Sequence, residues 1–317
     1  MDFQNPVIKQ HLRLGLCCIN TVLRSEGIFC SRTCIRRTFT VLKAQQKALD
    51  NIHDLIKLIE WNEENGIRCF RISSDLFPHF TDDMTPHYTI DFAKDVLKEV
   101  GLLIAKYGHR ITMHPGQFNQ IGSNNPLVFD KTSRELQHHA EIMDAMGIGD
   151  NGVLIIHGGG TYKSKQVTMT RWIEQFHKLP DIVKKRLVIE NCENNYSSED
   201  CIVIAKACGI PHVFDFHHYN CWRDKQPTIN ELMPQIIATW ENRTIVMHVS
   251  EQNPARRLGA HSDYVENIPI EIFETIIKYN IDIDLEIEAK MKEQAIIKLY
   301  KKYNYYTKFI IRMREKI

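Results

Sequence analysis

Short runs of β-branched and apolar residues alternate along the chain with longer segments whose apolar positions recur every three or four residues. In order, the runs are 13–17 (RLGLC), 68–73 (RCFRIS), 110–114 (RITMH), 153–157 (VLIIH), 186–190 (RLVIE), 212–215 (HVFD), 244–248 (TIVMH) and 283–288 (IDLEIE). Between the first two, Ile52, Leu55, Ile56 and Ile59 keep helical spacing and stop at Gly66, a residue that ends a helix cheaply in the left-handed conformation. Val96, Val100 and Leu103 repeat the pattern before the third run, and Gly108 closes it. The remaining gaps are each long enough for the crossover helix that consecutive parallel strands require. Eight β-then-α units in a chain of this length match the arithmetic of a closed (β/α)8 TIM barrel, roughly 250 residues. A doubly wound sheet is the alternative.

No low-complexity linker interrupts the pattern, so residues 1–290 read as one domain. Residues 291–317 follow as a basic, Tyr-rich helical extension, which packs under the barrel or lies against a charged partner. After the first run comes an unusually long basic stretch, with Arg24, Arg32, Arg36, Arg37, Lys43 and Lys47 against the single acid Glu26. Barrels place substrate contacts on long loops at the C-terminal ends of their strands, and this stretch is assigned there.

The 317 residues carry 40 basic and 39 acidic side chains, with 43% hydrophobic and 25% charged, which is the composition of a packed globule and excludes disorder or collagen. No apolar run reaches the roughly 20 residues of a membrane helix, and the N-terminus lacks the apolar core of a signal peptide. The expectation is a soluble intracellular protein, with cytoplasm and nucleus equally open. Nine scattered cysteines without a Cys-x-x-Cys pair argue against a disulfide framework or a zinc ribbon.

The candidate chemistry lies at the ends of the runs. His114, His157, Glu190, Asp215, His248 and Glu288 close six of the eight. In a barrel the C-terminal strand ends surround one mouth, so six metal-type side chains at that level converge. His218, three residues beyond Asp215, and His261, in the loop after the seventh run, join them. Mixed imidazoles and carboxylates suit Mn²⁺, Zn²⁺ or Fe²⁺. Eight ligands exceed one tetrahedral ion and fit a cluster of two or three, whose chemistry is phosphodiester hydrolysis.

The segments RLGLCCIN, FRISSDLFP, MHPGQF, HGGGTY, VIENCE, DFHHYN, HVSEQNP and IEAKMKEQ, in this order, resemble the ultraviolet damage endonuclease family over roughly residues 11–295. These are metal-dependent (β/α)8 repair enzymes similar to endonuclease IV. The resemblance implies incision of damaged double-stranded DNA immediately 5′ to a pyrimidine dimer or photoproduct, leaving 3′-hydroxyl and 5′-phosphate ends, with action at abasic sites alongside. It implies two or three divalent ions, Mn²⁺ first and Zn²⁺ second, on His114, His157, Glu190, Asp215, His218, His248, His261 and Glu288. By analogy, Glu190 bridges a deep pair completed by Asp215, His248 and Glu288, while His218 and His261 hold an ion near the scissile phosphate. Glu190, Glu288 and Lys290 are the implied catalytic group, Lys290 as a phosphate partner.

Asn20 and Gln117 match the family's lesion-probing positions. Phe118 and Leu16 stand where members carry tyrosines and are expected to act as apolar wedges; Arg36 and Arg37 are expected on the DNA backbone. The chain departs from the family at Val246, where members carry a lysine, and at the second-strand loop LFPHFTDDM, where His79 or Asp82 takes the place of a ligand histidine. Two other readings use the same pattern: a sugar isomerase or epimerase with a two-metal mouth, and a damage-binding protein that has lost catalysis. Neither a membrane nor an obligate protein partner is indicated.

Overall fold

The computed structural model describes residues 6–222 and 226–303. Eight parallel strands close into a barrel in sequence order: β1 (Leu12–Cys17), β2 (Cys69–Ile72), β3 (Arg110–Met113), β4 (Val153–His157), β5 (Leu187–Glu190), β6 (His212–Asp215), β7 (Ile245–Val249) and β8 (Ile283–Ile287). The barrel is sealed where β8 returns to β1, in register from Leu12 opposite Ile283 to Leu16 opposite Ile287.

Helix α1 (Pro6–His11) precedes β1. The connections outward carry α2 (Thr21–Ser25) with α3 (Val41–Glu64), then α4 (Lys94–Tyr107), α5 (Pro126–Ala145), α6 (Lys165–Phe176) with α7 (Asp181–Lys184), α8 (Ser198–Cys208), α9 (Phe216–Trp222) with α10 (Ile229–Trp240), α11 (Ile270–Tyr279) and α12 (Lys292–Lys302). Local chemistry sets their ends. Thr40 accepts the Lys43 N–H at the start of α3, Ser197 and Asp200 make a reciprocal capping box on α8, and Gly108 ends α4 at φ +67°.

Side chains alternate across each strand, so Leu12, Leu14 and Leu16 face the helices while Arg13, Gly15 and Cys17 face the interior. The apolar core therefore lies between sheet and helices, and it includes Trp172 and Trp240. The barrel interior itself is charged. At its floor Asp284 meets Arg13 at 2.6 Å and Arg110 at 3.3 Å. One level up, Glu286 takes Arg71 Nε at 2.7 Å and the Thr112 hydroxyl. Gly15 leaves the room for this level, since a Cβ there would stand 3.0 Å from Cys69 Sγ and 3.1 Å from Glu286 Cγ.

The long stretch after β1 is tied down rather than loose. Buried Asn51 on α3 accepts from the Arg32 amide at 2.8 Å and donates to the Arg32 and Leu76 carbonyls, and Asp54 accepts from the Phe29 amide at 3.0 Å. From the other end of the chain, fully buried Glu293 on α12 receives the amides of Thr21 at 2.7 Å and Val22 at 3.0 Å, a carboxylate on the orphan donors that open α2. Ala295, Ile296, Leu299 and Tyr300 bury the inner face of α12. Residues 304–317, the remainder of the basic C-terminal stretch, lie outside the described residues. No helix among the described residues is long and apolar enough to cross a membrane.

Candidate metal centre at the barrel mouth

The strand parity that points Arg71, Thr112 and Glu286 inward also delivers the residues two positions further along to the mouth. His114 stands one residue past β3; His157, Glu190 and Asp215 are the last residues of β4, β5 and β6; His248 is the fourth of five in β7; Glu288 follows β8. Three overlapping triads result, each with one ligand atom per residue lying within 4.8 Å of the others: His114, His157 and Glu190; Glu190, Asp215 and His218; Asp215, His248 and Glu288.

Glu190 is the hub. Its Oε2 lies 3.0 Å from His114 Nε2 and 3.8 Å from His157 Nε2, and its Oε1 lies 2.9 Å from His248 Nδ1 and 3.4 Å from His218 Nδ1. His261 reaches the rim, its Nδ1 3.6 Å from Glu288 Oε2. Asn191 positions the first turn of α9: its side chain spans the Asp215 backbone, donating to the carbonyl at 3.0 Å and accepting from the amide at 2.9 Å, and its own carbonyl faces His218 Nδ1 at 3.0 Å.

Glu190, Asp215 and His248 are almost wholly buried, so their charges interact strongly. Burial opposes the charge of His248, yet Glu190 beside it pushes the imidazole up to about 10. His218 rises to about 11 against the same burial, held by Asp215 and then Glu190. Burial, with Glu190 and Glu288 close by, raises Asp215, whose Oδ2 has no hydrogen-bond partner. A buried acceptor without a donor, among three carboxylates that compete for shared protons, is a set of donors that divalent cations would complete. The residues present therefore fit such ions.

Below the triads lies a layer that the run-end pattern does not reveal. The buried Arg71 guanidinium binds Glu286 and reaches Glu288 Oε1 at 2.5 Å, and its Nη2 stands 2.9 Å from His248 Nε2, where both donors converge on Glu286. Burial works against ionisation of Glu286, but Arg71 and then His248 hold it down at about 2. The readable signal was in β8: in Asp284-Leu285-Glu286-Ile287-Glu288 the acids share one face and the apolar residues the other. Val246, at the departure from the family, is buried in β7 opposite Asp284.

The expected DNA-facing residues divide. Gln117 and Phe118 follow β3 on an exposed turn, Phe118 being 83% accessible. A cavity of about 360 Å³ opens beside Phe118 and is lined also by Arg36, Asp75, His79 and Lys131. Lys290 is exposed, its amide bonded to the Ser262 carbonyl at 3.1 Å. Arg37 is exposed, whereas Arg36 is bound to Asp82 at 2.6 Å. Three expectations need correction in this conformation. Leu16 is fully buried on the outer, helix-facing side of β1 and offers no wedge. Asn20 is buried and caps α2, accepting the Leu23 amide at 2.9 Å. His79 is not brought to the triads: its Nδ1 lies 3.1 Å from Asp82 and its Nε2 2.6 Å from the Cys34 carbonyl, so both nitrogens brace the loop.

Comparison with known proteins agrees with this geometry. A relative from Acanthamoeba polyphaga mimivirus carrying a UV-damage endonuclease designation is 39% identical over 92% of this chain and 91% of its own length. The UV-damage endonuclease of Schizosaccharomyces pombe is 41% identical over 92% of this chain, which spans half of that longer protein. Among solved structures, SacUVDE superposes with a TM-score of 0.82 at 30% identity, covering 93% of this chain and all of that one. L-ribulose 3-epimerase shares the fold alone, with a TM-score of 0.55 at 12% identity over 88% of this chain and 81% of that one. The UV-endonuclease UvdE family matches residues 12–315, nearly the whole chain, and the protein belongs to that family.

Proposed function

We propose that this chain nicks ultraviolet-damaged duplex DNA by metal-assisted hydrolysis, cutting the phosphodiester immediately 5′ to a pyrimidine dimer or photoproduct and acting on abasic sites as well. Water adds its oxygen to phosphorus and the bond to the upstream O3′ breaks, leaving a 3′-hydroxyl and a 5′-phosphate. The observation that carries the reading is the overlap of the triads: Glu190 belongs to two and Asp215 to two, so adjacent ions would share carboxylates. His114 and His157 would hold one ion and Asp215, His248 and Glu288 a second, with Glu190 shared between them, and His218 with His261 would hold a third at the rim. Mn²⁺ is the first choice for this nitrogen and oxygen set and Zn²⁺ the second. Bound there, the ions would polarise the phosphoryl oxygen and neutralise the leaving alkoxide.

The chain's own residues do the rest. Arg71 and Glu286 hold Glu288 and His248 from below. Exposed Lys290, two residues beyond Glu288, would donate to a phosphate oxygen. Gln117 and Phe118 project from the β3 turn, where they can fill the gap left when a lesion turns out of the stack. A duplex with one cyclobutane dimer, end-labelled and incubated with Mn²⁺, Zn²⁺ or chelator, tests this reading. A metal-dependent band ending just 5′ of the dimer is expected; binding without a cut under any metal would leave a damage-binding protein instead.

A further inference from the structure

The loop from β7 to α11 leaves the barrel mouth and brings His261 back to Glu288. At its tip, five consecutive residues, 254–258 (PARRL), are exposed. One side chain holds this tip from behind. Gln252 Nε2 donates to the Asn253 carbonyl at 2.7 Å and the Arg257 carbonyl at 3.0 Å, and its Oε1 accepts the Gly259 amide at 2.9 Å. Backbone bonds from Asn253 to Ala260 at 2.7 Å and from Ala260 to Arg257 at 3.1 Å close the turn, and Gln252 pairs with His261 as an antiparallel bridge. Gly259 turns the chain at φ +83°, where a Cβ would press to 2.8 Å from Glu193 Cγ. The tip is thus fixed relative to the centre.

Its charge is uncompensated. Arg13, Arg32, Arg36, Arg68, Arg71 and Arg186 all have carboxylate partners. Arg256 and Arg257 make no ion pair among the described residues. Of the acids on the same loop, Glu251 accepts the amides of Glu266 at 2.7 Å and Asn267 at 3.2 Å, Glu266 pairs with Lys298 at 2.6 Å, and exposed Asp263 makes no ion pair with either arginine among the described residues. Two guanidinium forks carried on a braced turn beside the candidate metal centre match the paired oxygens of phosphates.

We infer that Arg256 and Arg257 form a backbone clamp that grips phosphates of the DNA strand entering the mouth, an inference that rests on the nuclease reading above. Such contacts set register without reading sequence. They add to affinity on damaged and intact duplex alike, and they make it fall with salt.

The test titrates the full chain into fluorescent duplexes with and without one dimer, in chelator, over a series of salt concentrations. Arg256→Ala/Arg257→Ala should bind both duplexes on the order of tenfold more weakly. The slope of log affinity against log salt should shrink by about two. Lys184→Ala/Lys185→Ala removes the same charge from the last residue and the C-cap of α7, ahead of β5 and so at the opposite end of the barrel, and should leave the slope unchanged. A clamp variant with the parental slope, or an equal loss in the α7 variant, overturns the clamp while the nuclease reading stands. Wild-type protein that binds neither duplex overturns both.

Discussion

His248 Nε2 lies 3.0 Å from Glu286 Oε2, on the opposite side of the ring from Glu190, which faces Nδ1 at 2.9 Å. The imidazole is therefore suspended between a carboxylate of the cluster and one of the layer below. A cation arriving at Nδ1 would replace one proton while the Nε2–H stays on Glu286, which fixes both tautomer and ring orientation. Outer carboxylates of this kind commonly change metal affinity by about 10–100-fold. Glu286→Gln should lower the affinity for Mn²⁺ by that order in a chelator competition; an unchanged affinity would show that Glu286 is only filling space.

Glu288→Gln and His248→Ala should each abolish dimer incision, and because each also removes a partner from the ionic layer around Arg71 and Glu190, the metal-free protein should still fold but melt at a lower temperature. Single-turnover cleavage checks the first half and calorimetry the second. Full activity in either variant would remove it from the centre.

The histidines give the metal-free protein a two-sided pH dependence. His212, wholly buried between Ser198 and the Ile189 carbonyl, is pushed down by burial to about 4. Its contribution is complete above the unfolded value of about 6.5 and is lost as pH falls, about 1.4 kcal/mol per unit for each proton involved. His248 and His218, raised to about 10 and about 11, contribute fully below 6.5 and lose that contribution as pH rises. Melting temperature in chelator should peak near neutrality and fall on either side; a midpoint that climbs steadily from pH 6.5 to 9 contradicts the alkaline limb.

Gln117→Ala should narrow the preference for damaged over intact duplex without altering metal content. Competition binding measures it, and an unchanged ratio would leave Gln117 as a solvated turn residue.

What the sequence could convey follows from geometry. The ends of β4, β5 and β6 were readable because a period of two and a terminal ligand coincide at His157, Glu190 and Asp215. The same parity also disqualifies Leu16, which shares its face with Leu12 and Leu14 rather than with Gly15. Arg71 stayed hidden because the second arginine of RCFRIS looks like any exposed strand residue until β8 is closed beside β1 and its acids need a cation. His79 could not be placed at all from order along the chain. Its role depends on the Cys34 carbonyl, which a distant loop brings to it.

The ionic column inside the barrel separates two responses to salt. Arg110, Asp284, Arg71 and Glu286 are enclosed by the strands, where mobile ions screen poorly, whereas Arg37, Arg256 and Arg257 stand in bulk solvent, where they screen well. A high-salt wash during purification should therefore strip nucleic acid from the mouth while leaving the interior lattice, and the geometry it imposes on the centre, undisturbed.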